Sequence, residues 1–228
     1  MKKICIVVSA RVNSSRCYKK MIEPIGDTCL IEILINKLKK SNIPKEDIFI
    51  ASPDEEIKLI IEKHDFNFIQ RSKQSNDEEK DIRIIFEWYK QLMMKYEYIL
   101  YINPCLPLLK VETINNFYDF CKNESYLRVF GVKQNKNYFF DENNKPINFN
   151  PSQGLNTKFI KGLKEAAHCL YFMKLEDIDN NNLLGGFKDD KNPYLYEVNN
   201  DELYDIDYQY EFNIIKCYLE SNKFKVLI

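Results

Sequence analysis

Hydrophobic and polar positions divide the chain into short apolar runs and longer amphipathic segments that follow one another in turn. Residues 3–9 are almost all apolar, the pattern of a strand with helices packed on both of its faces. Residues 28–41 place apolar side chains at helical spacing and lysines in the last turn, which predicts a helix. The pattern then predicts strands at 47–51, 66–70 and 98–102 and helices at 54–64, 77–95 and 111–121.

The alternation of strands and helices predicts an α/β protein whose sheet has a parallel core. Right-handed crossovers bring the loops that follow the strands to one edge of such a sheet, where open α/β sheets bind their ligands. We therefore expect the functional residues directly after the strands.

The second half of the chain interrupts this alternation. After a predicted strand at 126–133, the polar and Asn-rich residues 134–158 hold three consecutive aromatic residues and a turn-like segment at 142–146. We interpret this region as an inserted hairpin, in which the aromatic side chains suggest a protein contact. The alternation resumes with strands at 169–173 and 194–198, a helix at 208–221 and an apolar end at 224–228.

Length and composition exclude several classes of protein. A chain of 228 residues is long enough for one full domain, 1–228, and too short for two ordinary ones. The net charge of -1 gives no overall signature of nucleic-acid or membrane binding, and we expect neither partner. The seven cysteines are scattered without a C-x-x-C pair, which is typical of reduced thiols and predicts a cytoplasmic protein.

The loop after the first strand concentrates positive charge. Its sequence, A-R-V-N-S-S-R-C-Y-K-K, brings four cationic side chains together around two serines and an asparagine. A nucleoside triphosphate would explain this cluster, because guanidinium, ammonium, hydroxyl and backbone N–H groups all bind phosphate oxygens. A solvated basic loop is the alternative that spacing alone leaves open.

Residues 10–20 resemble the A-R-x-x-S-x-R-x-x-x-K signature of the cytidylyltransferases that make CMP-sugars, which include CMP-sialic acid and CMP-octulosonate synthetases and spore-coat polysaccharide relatives. The following turn at Gly26, which leads into the first long helix, also resembles that family. The resemblance implies that the loop wraps the phosphates of CTP and that Lys20, Arg11 and, near the carboxyl end, Asp207 are catalytic. The nucleotide contacts that it implies in this loop are Ala10, Arg11, Asn13, Ser14, Ser15, Arg16 and Lys20.

Two further motifs resemble the family in the middle of the chain. Arg71 follows the third strand, where the family has an arginine near the base or ribose; a surface arginine is the alternative. I-N-P-C-L-P-L-L, residues 102–109, resembles the Q-P-T-S-P-L-R loop, which implies nucleotide contacts at Asn103 and Pro104. Cys105 departs from that pattern, and without a histidine beside it in sequence it is interpreted as a packing residue instead of a nucleophile.

Paired carboxylates follow near the carboxyl end. Y-D-I-D-Y-Q-Y-E-F, residues 204–212, resembles the family's D-I-D-T-P-E-D-F, with Asp205 and Asp207 on its two aspartates and Tyr208 in place of its threonine. Residues two apart in an extended segment project from one side, so both carboxylates can reach one Mg²⁺. Alternatively, one aspartate caps the helix that follows. His168 lies where the family has acceptor-site residues, with a structural role as the alternative.

The resemblance implies a Rossmann-like, three-layer nucleotide-diphospho-sugar transferase fold with a mostly parallel mixed sheet. It also implies a small inserted hairpin at 134–167 that serves dimerisation and the acceptor site. It implies a cytidylyltransferase that uses Mg²⁺ to transfer CMP from CTP to an acidic sugar, a sialic-acid-like or related surface-polysaccharide precursor, as a homodimer. Two alternatives remain open. One is a glycosyltransferase that uses Asp205 and Asp207 as a D-x-D metal motif; the other is a nucleotide-binding homologue that has lost its catalytic activity.

Overall fold

Seven strands form one sheet in the computed structural model of the chain, which describes residues 2–77, 79–153, 156–187 and 193–221. Most of the strands begin and end within about two residues of the positions predicted by hydrophobic pattern. The strands are β1 (Ile4–Ser9), β2 (Ile48–Ser52), β3 (Asn67–Gln70), β4 (Tyr98–Ile102), β5 (Val129–Asn135), β6 (Leu163–Lys174) and β7 (Tyr194–Glu197). The apolar end predicted at 224–228 lies outside the described residues.

Helices connect the strands and cover the sheet. The long ones lie where apolar side chains recur at helical spacing, and short 3₁₀ turns fill the remaining connections. The α-helices are α1 (Leu30–Lys40), α2 (Glu55–Lys63), α3 (Ile82–Ile85), α4 (Tyr89–Met93), α5 (Val111–Asn123), α6 (Leu175–Asp179) and α7 (Gln209–Glu220).

The sheet is mixed and mostly parallel, as predicted. Its strand order is β3-β2-β1-β4-β6-β5-β7, and only β6 runs antiparallel to its two neighbours. The chain leaves β1 toward β2 on one side and later returns to place β4 on the other. This reversal opens a crevice at the carboxyl ends of β1 and β4, the place where such sheets bind ligands.

Alternate residues of β1 belong to two different cores. Ile4, Ile6 and Val8 pack with α1, α2, α5 and α7 on one face of the sheet, whereas Cys5 and Val7 pack with α4 and α6 on the other. All five side chains are almost completely buried. The unbroken apolar run in the sequence therefore reflects a three-layer structure in which helices cover both faces.

The single helix predicted at 77–95 is wrong. The described residues of this region form two short helices, α3 and α4, separated by a turn. The guanidinium of Arg71 donates a hydrogen bond of 3.1 Å to the carbonyl oxygen of Ile85, which would otherwise accept from Tyr89. The Tyr89 N–H instead bonds the carbonyl oxygen of Phe86 at 2.8 Å, so a tertiary contact ends α3.

The connection between β5 and β6 contains a hairpin turn at the predicted position, 142–146. Phe140 bridges Pro146 in antiparallel fashion, and the carboxylate of Asp141 accepts hydrogen bonds from the backbone N–H groups of Asn143 and Lys145. The role of residues 134–167 in dimerisation stays a prediction. Within the described residues, no helix has the length and apolar character needed to cross a membrane.

Candidate active site

A cleft of about 570 Å³ opens at the carboxyl ends of β1, β3 and β4. It brings together most of the residues singled out in the sequence, although they come from four separate segments. Asn13 and Ser15 are exposed on the first loop and do not line the cleft. The predicted residues that do line it are Ala10, Arg11, Ser14, Arg16, Lys20, Arg71, Asn103, Pro104, Asp205 and Asp207.

The first loop is held by its backbone. Its Val12 N–H donates to a carboxylate oxygen of Asp54 at 2.7 Å, and the Val12 carbonyl oxygen accepts from the N–H groups of Ser14 and Lys19. The sequence pattern did not reveal this role for Asp54, because the residue lies just before α2 and resembles an ordinary helix start. The loop thus curls over the end of β1 with Arg16 and Lys20 on its cleft side.

Ile206 ties three of the motifs together. Its N–H donates to the carbonyl oxygen of Cys105 at 3.0 Å, and its own carbonyl oxygen accepts a hydrogen bond from the ammonium group of Lys20. The Ile206 side chain is completely buried, so Asp205 and Asp207 on either side of it both line the cleft. This arrangement agrees with the expectation that residues two apart project together.

Asp207 meets the cations of the first loop directly. Its Oδ1 lies 2.8 Å from Nη2 of Arg16 and 3.7 Å from Nζ of Lys20. Lys20 is buried, so this ammonium group is shielded from water on most sides. The proposed phosphate-binding and metal-binding groups are therefore neighbours at one end of the cleft.

Asp205 is the more buried partner of the pair, and its environment is unusual. Burial first, and then the negative charge of Asp207, raise the pKa of Asp205 to about 6, against the opposing effect of Lys20. Its Oδ1 is buried and has no hydrogen-bond partner among the described residues. A buried acceptor without a partner is costly, so this oxygen is suited to a cation or to a donor on a ligand.

The alternative interpretation, in which one of the two aspartates caps α7, is wrong. The N-cap residue is Tyr208, and the carboxylate of Glu211 accepts from the N–H groups of Asp207 and Tyr208 at 2.7 and 2.8 Å. Glu211 therefore satisfies the start of the helix. Asp205 and Asp207 are left to face the cleft.

Asn103 organises the Asn-Pro loop through every part of its amide. Its Oδ1 accepts from the N–H of Cys105 at 3.0 Å, while its Nδ2 lies 2.9 Å from the carbonyl oxygen of His168 and 3.5 Å from Oδ2 of Asp205. These contacts fix the loop relative to the carboxylate pair. Burial raises the pKa of the Cys105 thiol to about 11, which favours an uncharged packing residue over a nucleophile.

Arg71 lines the cleft, but its guanidinium also forms hydrogen bonds with other residues of the protein. It donates to the side chain and carbonyl oxygen of Ser75 at 3.0 and 2.6 Å and to the carbonyl oxygen of Ile85. Arg11 similarly donates to the carbonyl oxygen of Asn76. Both arginines therefore hold the segment after β3 against the cleft, a function that sequence spacing did not predict.

His168 enters the cleft because β6 is irregular. The pairing of β5 with β6 shifts register between Phe130 and Val132, and His168 in the irregular segment has a φ of 49°. A positive φ is uncommon for a residue other than glycine and often marks a functional site. The imidazole Nδ1 of His168 lies 2.9 Å from the hydroxyl of Tyr171.

Aromatic side chains that the sequence motifs did not reveal line another wall of the cleft. Tyr101 and Tyr171 face each other across β4 and β6 with ring centroids 5.8 Å apart, and Phe86 lies 5.7 Å from Tyr101. Strand periodicity alone assigns these rings to an ordinary core. These rings line the cleft because they lie at the end of the sheet where the cleft opens.

The carboxylates fit a cation that takes few protein ligands. Among the described residues, no group of three or more His, Cys, Asp or Glu side chains is close enough to hold a metal by itself. Mg²⁺ is commonly bound by one or two carboxylates together with water and substrate phosphates. Asp205 and Asp207, with the unpartnered oxygen on Asp205, match that requirement.

Comparison with known protein families gives one match that covers most of the chain. Residues 4–171 match the sequence model of a family described as Cytidylyltransferase. The match includes the first loop, Arg71 and the Asn-Pro loop and ends before Asp205. A comparison with curated protein sequences finds no match.

Solved structures of low sequence identity share the fold. A CMP:2-keto-3-deoxy-manno-octonic acid synthetase complexed with CTP superimposes with a TM-score of 0.68 at 12% identity, over 96% of this chain and 98% of that one. A 4-diphosphocytidyl-2C-methyl-D-erythritol synthase from Anaerococcus prevotii gives 0.67 at 15%, over 96% and 98%. A CTP:phosphocholine cytidylyltransferase from Streptococcus pneumoniae gives 0.62 at 13%, over 96% and 100%. These similarities confirm the predicted nucleotide-diphospho-sugar transferase architecture.

Proposed function

The chain belongs to the cytidylyltransferase family, and on that premise we propose that it transfers CMP from CTP to an acidic sugar with release of pyrophosphate. The membership excludes the glycosyltransferase that the D-x-D pattern left open. The observation that carries the proposal is the meeting of Arg16, Lys20 and the Asp205–Asp207 pair at one end of a single cleft.

The proposed reaction is an in-line displacement at the α-phosphorus of CTP. A hydroxyl oxygen of the acceptor forms the new bond to phosphorus, and the bond from phosphorus to the bridging oxygen breaks with its electron pair leaving on pyrophosphate. The hydroxyl proton passes to solvent. The catalysis required is mainly positioning and the neutralisation of negative charge. No covalent intermediate with the protein is needed.

The cations of the first loop suit the phosphates in this scheme. Lys20 and Arg11 are the proposed catalytic cations, and Arg16 shares the charge of the transferring and leaving groups. The proposed contacts of Ala10, Ser14, Asn103 and Pro104 position the nucleotide, as do those of Arg71, Asn13 and Ser15. The last two lie outside the lining and would need the loop to close over CTP.

Asp205 and Asp207 are the proposed ligands of Mg²⁺. When bound there, the cation would polarise the α-phosphate and offset the charge of the triphosphate. The two carboxylates would hold it at the end of the cleft where Lys20 also lies. The buried oxygen of Asp205 that has no partner among the described residues supports this proposal.

The acidic acceptor rests on the resemblance of residues 10–20 to synthetases of CMP-linked acidic sugars. One similar structure is named for such an acceptor, 2-keto-3-deoxy-manno-octonic acid, whereas the others are named for methylerythritol and phosphocholine products. The fold is therefore compatible with several acceptors, and the first loop favours an acidic sugar. We also propose that the enzyme is a cytoplasmic homodimer.

Pyrophosphate release tests the proposal. CTP, UTP, ATP and GTP would each be combined with three kinds of acceptor, with and without Mg²⁺. The acceptors are sialic-acid-like sugars, octulosonic-acid-like sugars and phosphorylated compounds that are not acidic sugars. We expect release with CTP and one acidic sugar, abolished by EDTA and restored by added Mg²⁺. Release only with a phosphorylated acceptor would overturn the acceptor class, and no release in any combination would favour a homologue without catalytic activity.

A further inference from the structure

Two tyrosines stack directly after Asp207, beside the first loop; they do not line the cleft themselves, but Asp207 and Arg16 next to them do. The rings of Tyr208 and Tyr210 have centroids 5.9 Å apart and an interplanar angle of 14°, and both side chains are largely exposed. Arg16 lies on the same stack, with its Cζ 5.7 Å from the centroid of the Tyr208 ring. A guanidinium within about 6 Å of an aromatic centroid is attracted by the ring.

The first turn of α7 fixes the position of this stack. Glu211 accepts a hydrogen bond from the Tyr208 N–H at 2.8 Å, and its other carboxylate oxygen accepts from the Tyr210 hydroxyl at 3.0 Å. One buttressing carboxylate therefore holds the backbone of the first tyrosine and the ring of the second. The Tyr208 ring is exposed to water, but these contacts fix its backbone and the ring that stacks on it.

The guanidinium of Arg16 contacts both this ring and Asp207, whose Oδ1 is 2.8 Å from Nη2 of Arg16. The proposed function assigns Asp207 to a cation and Arg16 to the phosphates, so the ion pair must loosen when CTP binds. A long arginine side chain that loses its carboxylate partner regains rotamer freedom. The contact with the Tyr208 ring does not depend on Asp207. The ring can therefore hold the Arg16 guanidinium in place after the ion pair is lost.

We propose that Tyr208 is a positioning residue that holds the guanidinium of Arg16 at the mouth of the cleft so that it binds the phosphates of CTP. This inference rests on the proposed function.

Binding of CTP with Mg²⁺ and without acceptor, measured by calorimetry, tests the role. Tyr208→Ala should weaken CTP binding about 2- to 5-fold, the size of an exposed cation–π contact. Tyr208→Phe keeps the ring and should bind like the wild type. Tyr18→Ala is the matched control, because the exposed Tyr18 ring holds Lys19, a lysine of the same loop that does not line the cleft.

A double substitution makes the test specific for Arg16. In an Arg16→Ala background, Tyr208→Ala should cause no further loss of CTP affinity, because the cation that the ring holds is gone. An unchanged affinity of Tyr208→Ala, or an equal loss in both backgrounds, would overturn the positioning role while leaving the proposed function intact. Failure of the wild type to bind CTP would remove both.

Discussion

Asp205 and Asp207 are separated by one residue and yet have different surroundings. Asp207 pairs with Arg16 and lies near Lys20, whereas Asp205 is more buried, with a pKa raised mainly by burial to about 6. Both residues line the same cleft, and the buried Oδ1 of Asp205 has no hydrogen-bond partner among the described residues. The pair thus offers one carboxylate in need of a partner and one already beside the cations that would meet a triphosphate.

Removing either charge at the point of contact should affect turnover far more than folding. We expect Asp207→Asn and Lys20→Ala each to lower turnover at least roughly a hundredfold, the usual scale when charge in a transition state is left unmatched. Steady-state pyrophosphate release measures this, with thermal unfolding as the check on the fold. Lys19→Ala is the control, since this neighbouring lysine is exposed and does not line the cleft. Near-normal turnover in both variants would remove the assignments.

Lys37 is a buried charge that supports the Asn-Pro loop from below. Its ammonium group donates to the carbonyl oxygen of Pro107, and burial lowers its pKa to about 8, partly opposed by the negative charge of Glu202. Because folding depresses this pKa, the folded protein releases the proton before the unfolded chain does. The penalty for burying the charge is complete below about pH 8 and disappears as pH rises toward the unfolded value of 10.5.

A substitution at Lys37 should therefore change how stability depends on pH. Relative to Lys37→Met, the free energy of unfolding of the wild type should rise by about 1–2 kcal/mol between about pH 7.5 and about pH 9.5. Denaturant titrations of both proteins at the two pH values measure the difference, in which the other ionisable groups cancel. A constant difference would contradict the buried charge.

At the scale of elements, the hydrophobic pattern predicted most strands and the long helices. The spacing of apolar residues in these elements follows from which of their faces pack against neighbouring elements. It could not show that the 77–95 segment breaks after Ile85, since the cause is a hydrogen bond from Arg71 in another element. It also missed the irregular part of β6 that turns His168 into the cleft. The residue types of the site motifs and their order were visible in the sequence, whereas Asp54, which holds the first loop, bonds to Val12 from a distant segment and could not be predicted.

The irregular part of β6 depends on a close approach at Gly131. A Cβ added there would lie 2.8 Å from Sγ of Cys169 and 3.1 Å from the carbonyl oxygen of Leu170. We expect Gly131→Ala to lower the free energy of unfolding by about 1–3 kcal/mol, the usual cost of overpacking. Because the carbonyl oxygen of Cys169 accepts from the Asn103 N–H, turnover should fall as well.

Chemical denaturation measures this loss of stability, and Gly162→Ala is the control variant for Gly131→Ala. The atoms nearest to the Cβ added at Gly162 would include Cγ of Gln134 at 2.7 Å and Cγ of Lys136 at 3.2 Å, both in exposed side chains that can move, whereas Gly131 meets a buried thiol and a backbone carbonyl. This variant should lose no more than about 0.5 kcal/mol, as surface substitutions usually do. Equal losses in the two variants would show that the approach at Gly131 does not control the strand.

For the whole molecule, the hairpin is the region whose exposed apolar side chains most need an explanation. Phe140, Ile147 and Phe159 expose 57%, 55% and 80% of their surface, as expected of a surface that another protein covers. We predict a homodimer that forms through residues 134–167. Light scattering should give about twice the 27.3 kDa of one chain.

Substitutions on the hairpin should separate the dimer without unfolding it. Phe140→Ser combined with Ile147→Ser should shift the mass toward the monomer, because the change removes apolar area from the interface. Met94→Ser, at a residue that is 90% exposed on another part of the surface, should leave the mass unchanged. A wild type that is monomeric at all concentrations would exclude the dimer.

Ile206 has a consequence for the biosynthesis of the protein. Its peptide group bonds Lys20, which lies 186 positions earlier in the chain, and also Cys105 from the middle. The ribosome must therefore deliver nearly all of the described chain before the first loop can acquire its two acidic partners. A nascent or clipped product that stops directly after β7 would contain all seven described strands and yet lack Asp205 and Asp207, and we expect it to have no activity on CTP.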